Sequence, residues 1–226
     1  FFVRALKKSG IKRLKVQRNE YVVKEVIKFK DDKTGSEITM IPSESYQITT
    51  MVDFGTKILG TQNATLDNIC DYEYEIASSR TFSFLHEIEM LLENGLIKGG
   101  DLNNAIVYVD KPLSKTTMER LKKAFNKKQI SVQPNGILDN LSLHYPNEAA
   151  RHKLLDIIGD LALVGQRIKG KVIAHKPGHG TNIQFAKKLS KMIKEEKRNK
   201  FPEIDLIKDP LMTVSDIMKM LPHRPP

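Results

Sequence analysis

Residues 21–30 read YVVKEVIKFK, and residues 37–41 and 46–54 read EITMI and YQITTMVDF. In each run β-branched and aromatic residues alternate with polar ones, the two-residue period of a strand with one buried face. Asp31-Asp32-Lys33-Thr34-Gly35 separates the first two runs, and its glycine is free to take a positive φ. The three runs therefore predict an antiparallel meander. Residues 72–76 alternate again. Residues 84–94 then place Phe84, Leu85, Ile88, Leu91 and Leu92 at helical spacing, with Ser83 to cap the start and Gly95 the end.

Further along, residues 105–109, AIVYV, read as a buried strand, and residues 116–126 allow a helix. Residues 148–164 form the most regular helical pattern, with Pro146-Asn147 as stop and cap. Residues 171–174 read as a strand, and Ile183, Ala186, Leu189 and Ile193 mark an amphipathic helix to about Glu196. Strands first and helices later predict an α+β fold, a two-layer sandwich of helices on a mixed, largely antiparallel sheet. After Glu196 the run KRNKFPEIDLIKDP is charged and bounded by prolines, which predicts a linker over residues 197–211. A short helix capped by Thr213 then precedes LPHRPP in a segment spanning residues 212–226. No internal repeat is visible, which excludes array architectures.

The composition narrows the function classes. The chain has 226 residues, 40% apolar and 28% charged, enough for one sizeable core or two small ones and incompatible with a disordered tail. No apolar run approaches a membrane span, so a soluble protein without stable membrane insertion is expected. The single cysteine, Cys70, excludes an internal disulfide and an all-thiolate metal site, so any metal must be held by His and carboxylate. The net charge of +10 favours anionic partners without choosing among them. The first residue is Phe1 and no leader pattern follows it, so the chain reads as mature or truncated and is expected in the cytoplasm.

Projected at 100° per residue, the helix of residues 148–164 puts Leu154, Leu155, Ile158, Leu161 and Ala162 on one side. His152, Lys153, Asp156 and Asp160 fall within an arc of roughly 100° on the other, with Gly159 beside them. His152 and Asp156, four apart, offer an imidazole and a carboxylate to one point, the donor pair zinc accepts. The same spacing also describes a surface pair that mildly stabilises a helix. Lys176-Pro177-Gly178-His179-Gly180 sets a histidine between glycines at the mouth of the next helix, where it is either a positioned functional group or an incidental member of a tight turn. Taken together, the two signals favour a hydrolase constellation of metal, cation and orienting carboxylate.

Three other motifs fail. Gly165 to Lys171 has phosphate-loop spacing, but Val172 stands where Ser or Thr is needed and the run joins helix to strand. His86-Glu87 lacks the second histidine of a zincin, because Met90 occupies its place. Lys187, Lys188, Lys191 and Lys194 have no interleaved aromatics for bases to stack on, so no nucleic-acid partner is expected.

Four ordered blocks carry a resemblance: Ser79-Arg80-Thr81-Phe82-Ser83-Phe84; Gly95 to Gly100 leading into Ala105-Ile106-Val107; Arg151-His152-Lys153-Leu154-Leu155-Asp156-Ile157-Ile158-Gly159-Asp160; and Lys176-Pro177-Gly178-His179. Together they resemble the UDP-3-O-acyl-N-acetylglucosamine deacetylases, the zinc amidohydrolases of lipid A synthesis, over residue 1 to about Ile193. LPHRPP resembles the opening of a 3-hydroxyacyl-acyl-carrier-protein dehydratase, in the order of the fused deacetylase-dehydratases.

The resemblance implies a Zn2+ cofactor with His152 and Asp156 as two of three ligands. It makes His179 the cation that protonates the leaving amine, Asp160 its orienting partner, Lys153 a substrate contact and Thr81 a hydroxyl near the oxyanion. Phe82, Ile97, Gly99, Gly100, Leu102, Ala105 and Val107 would surround the glucosamine and the acyl passage. The implied partners are a UDP-linked acylated glucosamine and, for the fused dehydratase, acyl carrier protein. It makes residues 1–196 the C-terminal region of the deacetylase, comprising a second α+β domain and the end of the first, and residues 212–226 the start of the dehydratase.

The family's remaining zinc ligand and its general base, a Glu-His pair in an earlier domain, have no counterpart in these residues, because Phe1 aligns near that domain's last helix. The isolated chain is therefore expected to be inactive. Residues 111–145 are longer than the shorter family members carry and have no assigned role. The rivals are the dehydratase activity of the fused partner, whose catalytic positions would lie past Pro226, and a basic anion-binding module that owes nothing to His152, Asp156 or His179.

Overall fold

The structure is a computed structural model that describes residues 2–12, 14–16, 19–94, 104–138 and 141–200. The expected linker and C-terminal segment, apart from residues 197–200, lie outside the described residues, as do Gly95, Ile97, Gly99, Gly100 and Leu102. The chain divides into two compact units, Phe1–Lys188 and Leu189–Pro226. Among the described residues the second holds only the last turns of the final helix, through Lys200.

The first unit begins with α1 (Phe2–Ser9) and strands β1 (Glu20–Val22), β2 (Ile27–Asp31), β3 (Ser36–Ile41), β4 (Tyr46–Asp53) and β5 (Thr61–Leu66). A 3-10 turn and α2 (Tyr72–Glu75) follow, then β6 (Thr81–Phe84), α3 (Leu85–Glu93), β7 (Ala105–Tyr108), α4 (Lys115–Ala124), α5 (Glu148–Ala162), β8 (Arg167–His175) and α6 (His179–Lys200). The fold is α+β, with helices laid on a mixed sheet that does not close.

The main sheet runs β2-β3-β8-β4-β5, with β1 pairing to β8. β2 and β3 form the expected hairpin, and Gly35 takes φ +68° in its turn. The meander does not continue into β4. β8 lies between β3 and β4, antiparallel to the first and parallel to the second. Its register explains the insertion: Ile27, Met40, Val172, Ile48 and Leu66 form one buried row across the sheet, all 3% exposed or less. The apolar residues of β8 complete a face that β3 and β4 could not fill alone.

The opposite face is partly exposed, as Ile173 at 41% shows. Residues 21–30 also divide into two strands rather than one, because β1 leaves to pair with β8. Residues 72–76, read as an alternating run, are helical through Glu75, and Ile76 N–H donates to Tyr72 O in an i to i−4 bond. A window of only five residues satisfies both periods.

α5 packs on β4 and β5. Ala150, Leu154, Ile157 and Leu161 are its buried side, while Leu155 and Ile158 are only partly covered and Ala162 is exposed. The core face is thus rotated from the projected one toward Ile157, because the sheet covers a different side than the apolar count suggested. Early in α6, Phe185 meets Phe29 of β2 with ring centroids 6.5 Å apart, and Lys188 Nζ donates to Lys28 O.

The small parallel pair β6-β7 has apolar clusters on both faces. On one, Leu85 and Ile88 of α3 and Leu121 of α4 gather with Val107 and Val109. On the other, Phe84, Ile106, Tyr108 and Ala149 of α5 enclose Leu59 and Ile137.

Two glycines separate steric need from mere occupancy. A Cβ on Gly170 of β8 would stand 2.6 Å from Val23 Cγ2 and 3.2 Å from Ile41 O, whereas one on Gly159 of α5 would meet nothing within 4 Å. Gly170→Ala is therefore expected to destabilise the chain by about 1–3 kcal/mol through overpacking. Gly159→Ala is expected to stabilise it by about 0.5–1 kcal/mol by removing a flexible residue from a helix interior. Urea unfolding of the two variants beside the wild type checks both signs.

Candidate active site

Asp156 is the centre of the arrangement. Its carboxylate is 7% exposed, yet three basic side chains face it. Lys153 Nζ is 3.1 Å from Oδ2, His152 Nε2 is 3.5 Å from Oδ1, and His179 Nε2 is 3.9 Å from Oδ1. Spacings of three and four on α5 bring the first two to one point. His179 arrives from the first residue of α6, carried there by the turn that follows β8. In that turn Lys176 takes φ +50° and its N–H donates to Met51 O, so the residues entering α6 are registered against β4.

A second carboxylate holds His179. Asp160 Oδ2 lies 2.9 Å from His179 Nδ1 and also accepts a hydrogen bond from Asn182 Nδ2 at 2.9 Å. His152 Nδ1 faces Ser79 O at 3.4 Å. Burial pushes the His152 imidazole below its ordinary 6.5, against the opposing pull of the Asp156 carboxylate. A neutral ring whose Nδ1–H points at a carbonyl leaves Nε2 as a lone-pair donor beside Asp156, the state in which histidine binds a metal.

Phe82 closes one side, its ring edge-on to His152 with centroids 6.1 Å apart and Lys153 Nζ 5.5 Å from its centre. Thr81 precedes it on β6 and is exposed. Of the remaining residues named from the sequence, Ala105 pairs with Thr81 across β6-β7, and Val107 is buried at 2% in the cluster beneath that pair. His152, Lys153, Asp156, Asp160, His179 and Phe82 are brought together. Ala105 and Val107 are placed on the strand beside them.

Sequence reading missed the group that fixes segment 79–82. Glu148, fully buried at the start of α5, accepts from Arg80 N–H at 2.9 Å, Arg80 Nε at 2.8 Å, Arg80 Nη2 at 3.0 Å and His144 N–H at 2.7 Å. Its position four residues before His152 was the available signal. Asn182, three residues after His179, was missed in the same way. Of the discarded motifs, His86 and Glu87 lie exposed on α3, and Gly165 to Lys171 joins α5 to β8.

The donor set fits part of a zinc site, with a neutral imidazole and a carboxylate converging from one helix. Among the described residues no group of three His, Cys, Asp or Glu side chains is placed to hold a metal ion.

The sequence that builds this arrangement has known relatives. The sequence model of the UDP-3-O-acyl N-acetylglycosamine deacetylases, LpxC, matches residues 1–130 and 114–191. The bifunctional enzyme LpxC/FabZ of Bacteroides thetaiotaomicron is 39% identical over 226 residues, covering 100% of this chain and 49% of that protein. The Porphyromonas gingivalis enzyme of the same name is 37% identical over 225 residues, 100% of this chain and 48% of its own length. The UDP-3-O-acyl-N-acetylglucosamine deacetylase of Syntrophotalea carbinolica is 32% identical over 190 residues, 83% of this chain and 53% of its own. The chain belongs to the UDP-3-O-acyl N-acetylglycosamine deacetylase family. It spans about half the length of these relatives.

The Arg80–Glu148 pair makes a pH-dependent contribution. Burial raises the Glu148 carboxyl, but the Arg80 side-chain and backbone donors, the His144 N–H and the guanidinium charge outweigh it and hold the group below its ordinary 4.5. A carboxylate lowered on folding stabilises fully above its unfolded value and loses that contribution as pH falls through the folded one. Glu148→Gln is expected to cost about 3–5 kcal/mol at pH 7 by taking the counter-charge from the Arg80 guanidinium, whose side chain is only 15% exposed. The gap from wild type should narrow as the pH is taken below 4.5, when chemical unfolding is followed at both ends of that range.

Proposed function

We propose that this chain is the C-terminal part of a zinc-dependent deacetylase acting on UDP-3-O-(3-hydroxyacyl)-N-acetylglucosamine in lipid A biosynthesis, within a parent fused to a 3-hydroxyacyl-acyl-carrier-protein dehydratase. The observation that carries this reading is the nearly buried Asp156 carboxylate with His152, Lys153 and His179 converging on it. Family membership supports the deacetylase half, and the bifunctional names of two relatives support the fusion. In this reading residues 1–196 belong to the deacetylase, 197–211 connect the two halves, the first four of them as the end of α6, and 212–226 open the dehydratase, whose acyl substrate rides on acyl carrier protein. The protein works in the cytoplasm.

His152 Nε2 and Asp156 would hold the metal, with Ser79 O fixing the His152 ring. A bound zinc ion supplies Lewis-acid polarisation of an amide carbonyl and acidifies water. Lys153 carries a positive charge beside Asp156 and opposes negative charge developing on the substrate. Thr81 offers a hydroxyl from the strand that also presents Phe82. His179, held at Nδ1 by Asp160, presents Nε2 toward the same point and delivers a proton to the departing amine. Ala105, Val107, Ile97, Gly99, Gly100 and Leu102 belong to the wall around sugar and acyl chain.

Two protein donors make a weak metal site, and no base for water activation is identified among the described residues. The chain by itself is therefore expected to bind zinc weakly, to lose that binding on His152→Ala, and to release no acetate above that variant. A chimaera in which this chain replaces the matching 226 residues of the Bacteroides thetaiotaomicron bifunctional enzyme is expected to release acetate from the acylated UDP-N-acetylglucosamine. His179→Ala in the chimaera should cost about 10²–10⁴-fold in turnover. A folded, zinc-loaded chimaera that releases none would overturn the assignment.

A further inference from the structure

We propose that Asn182 is a positioning residue: by donating to Asp160 it fixes the carboxylate that holds the His179 imidazole in its Nδ1–H form, leaving Nε2 as the free nitrogen directed at Asp156.

Asn182 is fully buried one turn into α6, and its side-chain amide has a chemically forced orientation. An ionised carboxylate only accepts hydrogen bonds, so Nδ2 must face Asp160, where it donates at 2.9 Å, and Oδ1 must point away. That Oδ1 is buried and has no hydrogen-bond partner among the described residues. Burying an unpartnered amide oxygen is unfavourable, and an alanine or leucine would fill space here without it. The donor end is what the position uses.

Its target is Asp160 Oδ2, the same oxygen that stands 2.9 Å from His179 Nδ1, while Oδ1 stands 3.2 Å from that nitrogen. Two donors on one oxygen, one of them on a side chain locked inside the fold, leave the carboxylate a single orientation. His179 is itself 64% exposed and has little packing to hold its ring, so its orientation rests on Asp160 and, through it, on Asn182. Asp160 only accepts and lies within hydrogen-bond distance of Nδ1, whereas Asp156 Oδ1 stands 3.9 Å from Nε2, so the proton of the neutral ring stays on Nδ1 and Nε2 is the nitrogen left to bind and release a second one. The value of this for proton delivery to a leaving amine rests on the deacetylase reading, whereas the tautomer itself does not.

The experiment therefore reads the tautomer without turnover. In the 15N-labelled chain, at a pH where imidazole is neutral, long-range 1H–15N correlation spectra report which nitrogen of His179 carries the proton, with His179→Gln assigning the signal. A single Nδ1–H form is expected in the wild type. Loss of that single-form signature is expected in Asn182→Ala and equally in Asp160→Asn, with the far-UV circular dichroism of the wild type.

Should Asn182→Ala fail to fold, Asn182→Leu, of similar size and without a donor, carries the same expectation. The wild type also supplies a reading that needs no change at 182, since an Asn182 Nδ2 proton should be protected from exchange and lose that protection in Asp160→Ala. A wild-type tautomer retained in a folded Asn182 variant, a mixed tautomer in the wild type, or an unprotected Asn182 amide would each overturn the proposal. Failure of acetate release by the chimaera would instead count against the deacetylase reading and leave the tautomer result standing.

Discussion

The Arg80–Glu148 pair is the constraint on which the candidate site depends. A carboxylate with no solvent access is stable as an anion only if its lone pairs are met, and Glu148 receives four hydrogen bonds, three from Arg80, 68 residues earlier in the chain, and one from His144 just before α5. Two of those donors are backbone N–H groups, so the pair fixes the course of the main chain as well as the ion pair. Arg80 sits between Ser79, whose carbonyl faces His152, and Thr81-Phe82, which flank the site from β6. The remaining guanidinium contact, Arg80 Nη2 to Ser142 O at 2.7 Å, ties the segment before α5 to the same point. Strand β6 and helix α5 are registered at one buried charge, and the spacing of His152 from the Phe82 ring follows from that register.

Around Asp156 the balance runs the other way. There the anion is nearly buried but its three basic neighbours all stand beyond 3.0 Å, and two of them are histidines that need not be charged. Such a carboxylate is held less completely than Glu148 and retains unused acceptor capacity, which suits a group whose partner comes from outside the protein. The contrast between a saturated buried carboxylate and an under-coordinated one, eight residues apart on one helix, separates the structural end of α5 from the end that carries the candidate site.

The grouping of the candidate site residues was legible because helical spacing alone places His152, Lys153, Asp156 and Asp160 together, and the glycines flanking His179 drew attention to the residue that opens α6. Strands β2, β3 and β4 were legible from alternation, as was the β2-β3 hairpin from the loop that ends in Gly35, whereas β5 was not read and the alternating residues 72–76 proved helical. The position of β8 was not legible, since its pairing with β3 and β4 depends on the fit of apolar rows between segments more than a hundred residues apart, which no local period encodes. Glu148 reads as an ordinary acidic residue in a first helical turn, favourable to the helix dipole, and only the arrival of Arg80 explains its burial. Asn182 reads as a polar residue in an amphipathic helix, and its single donated bond is visible only once α5 and α6 are side by side.

The central placement of β8 also explains how residues from two helices keep a common focus. This strand leaves α5 through Gly165 and enters α6 through Lys176, so the elements that carry Asp156, Asp160 and His179 are consecutive and joined by the most hydrogen-bonded strand of the sheet. Flanked on both sides, it cannot slip relative to β4 without moving every apolar side chain of its buried row to the wrong face. The Lys176 N–H bond to Met51 O extends that register one residue past the strand, up to the proline-glycine turn before His179. A histidine on an exposed helix end is thereby positioned from behind by the sheet and from the side by Asp160. It does not depend on packing of its own ring, which leaves the ring's outer nitrogen open toward the site.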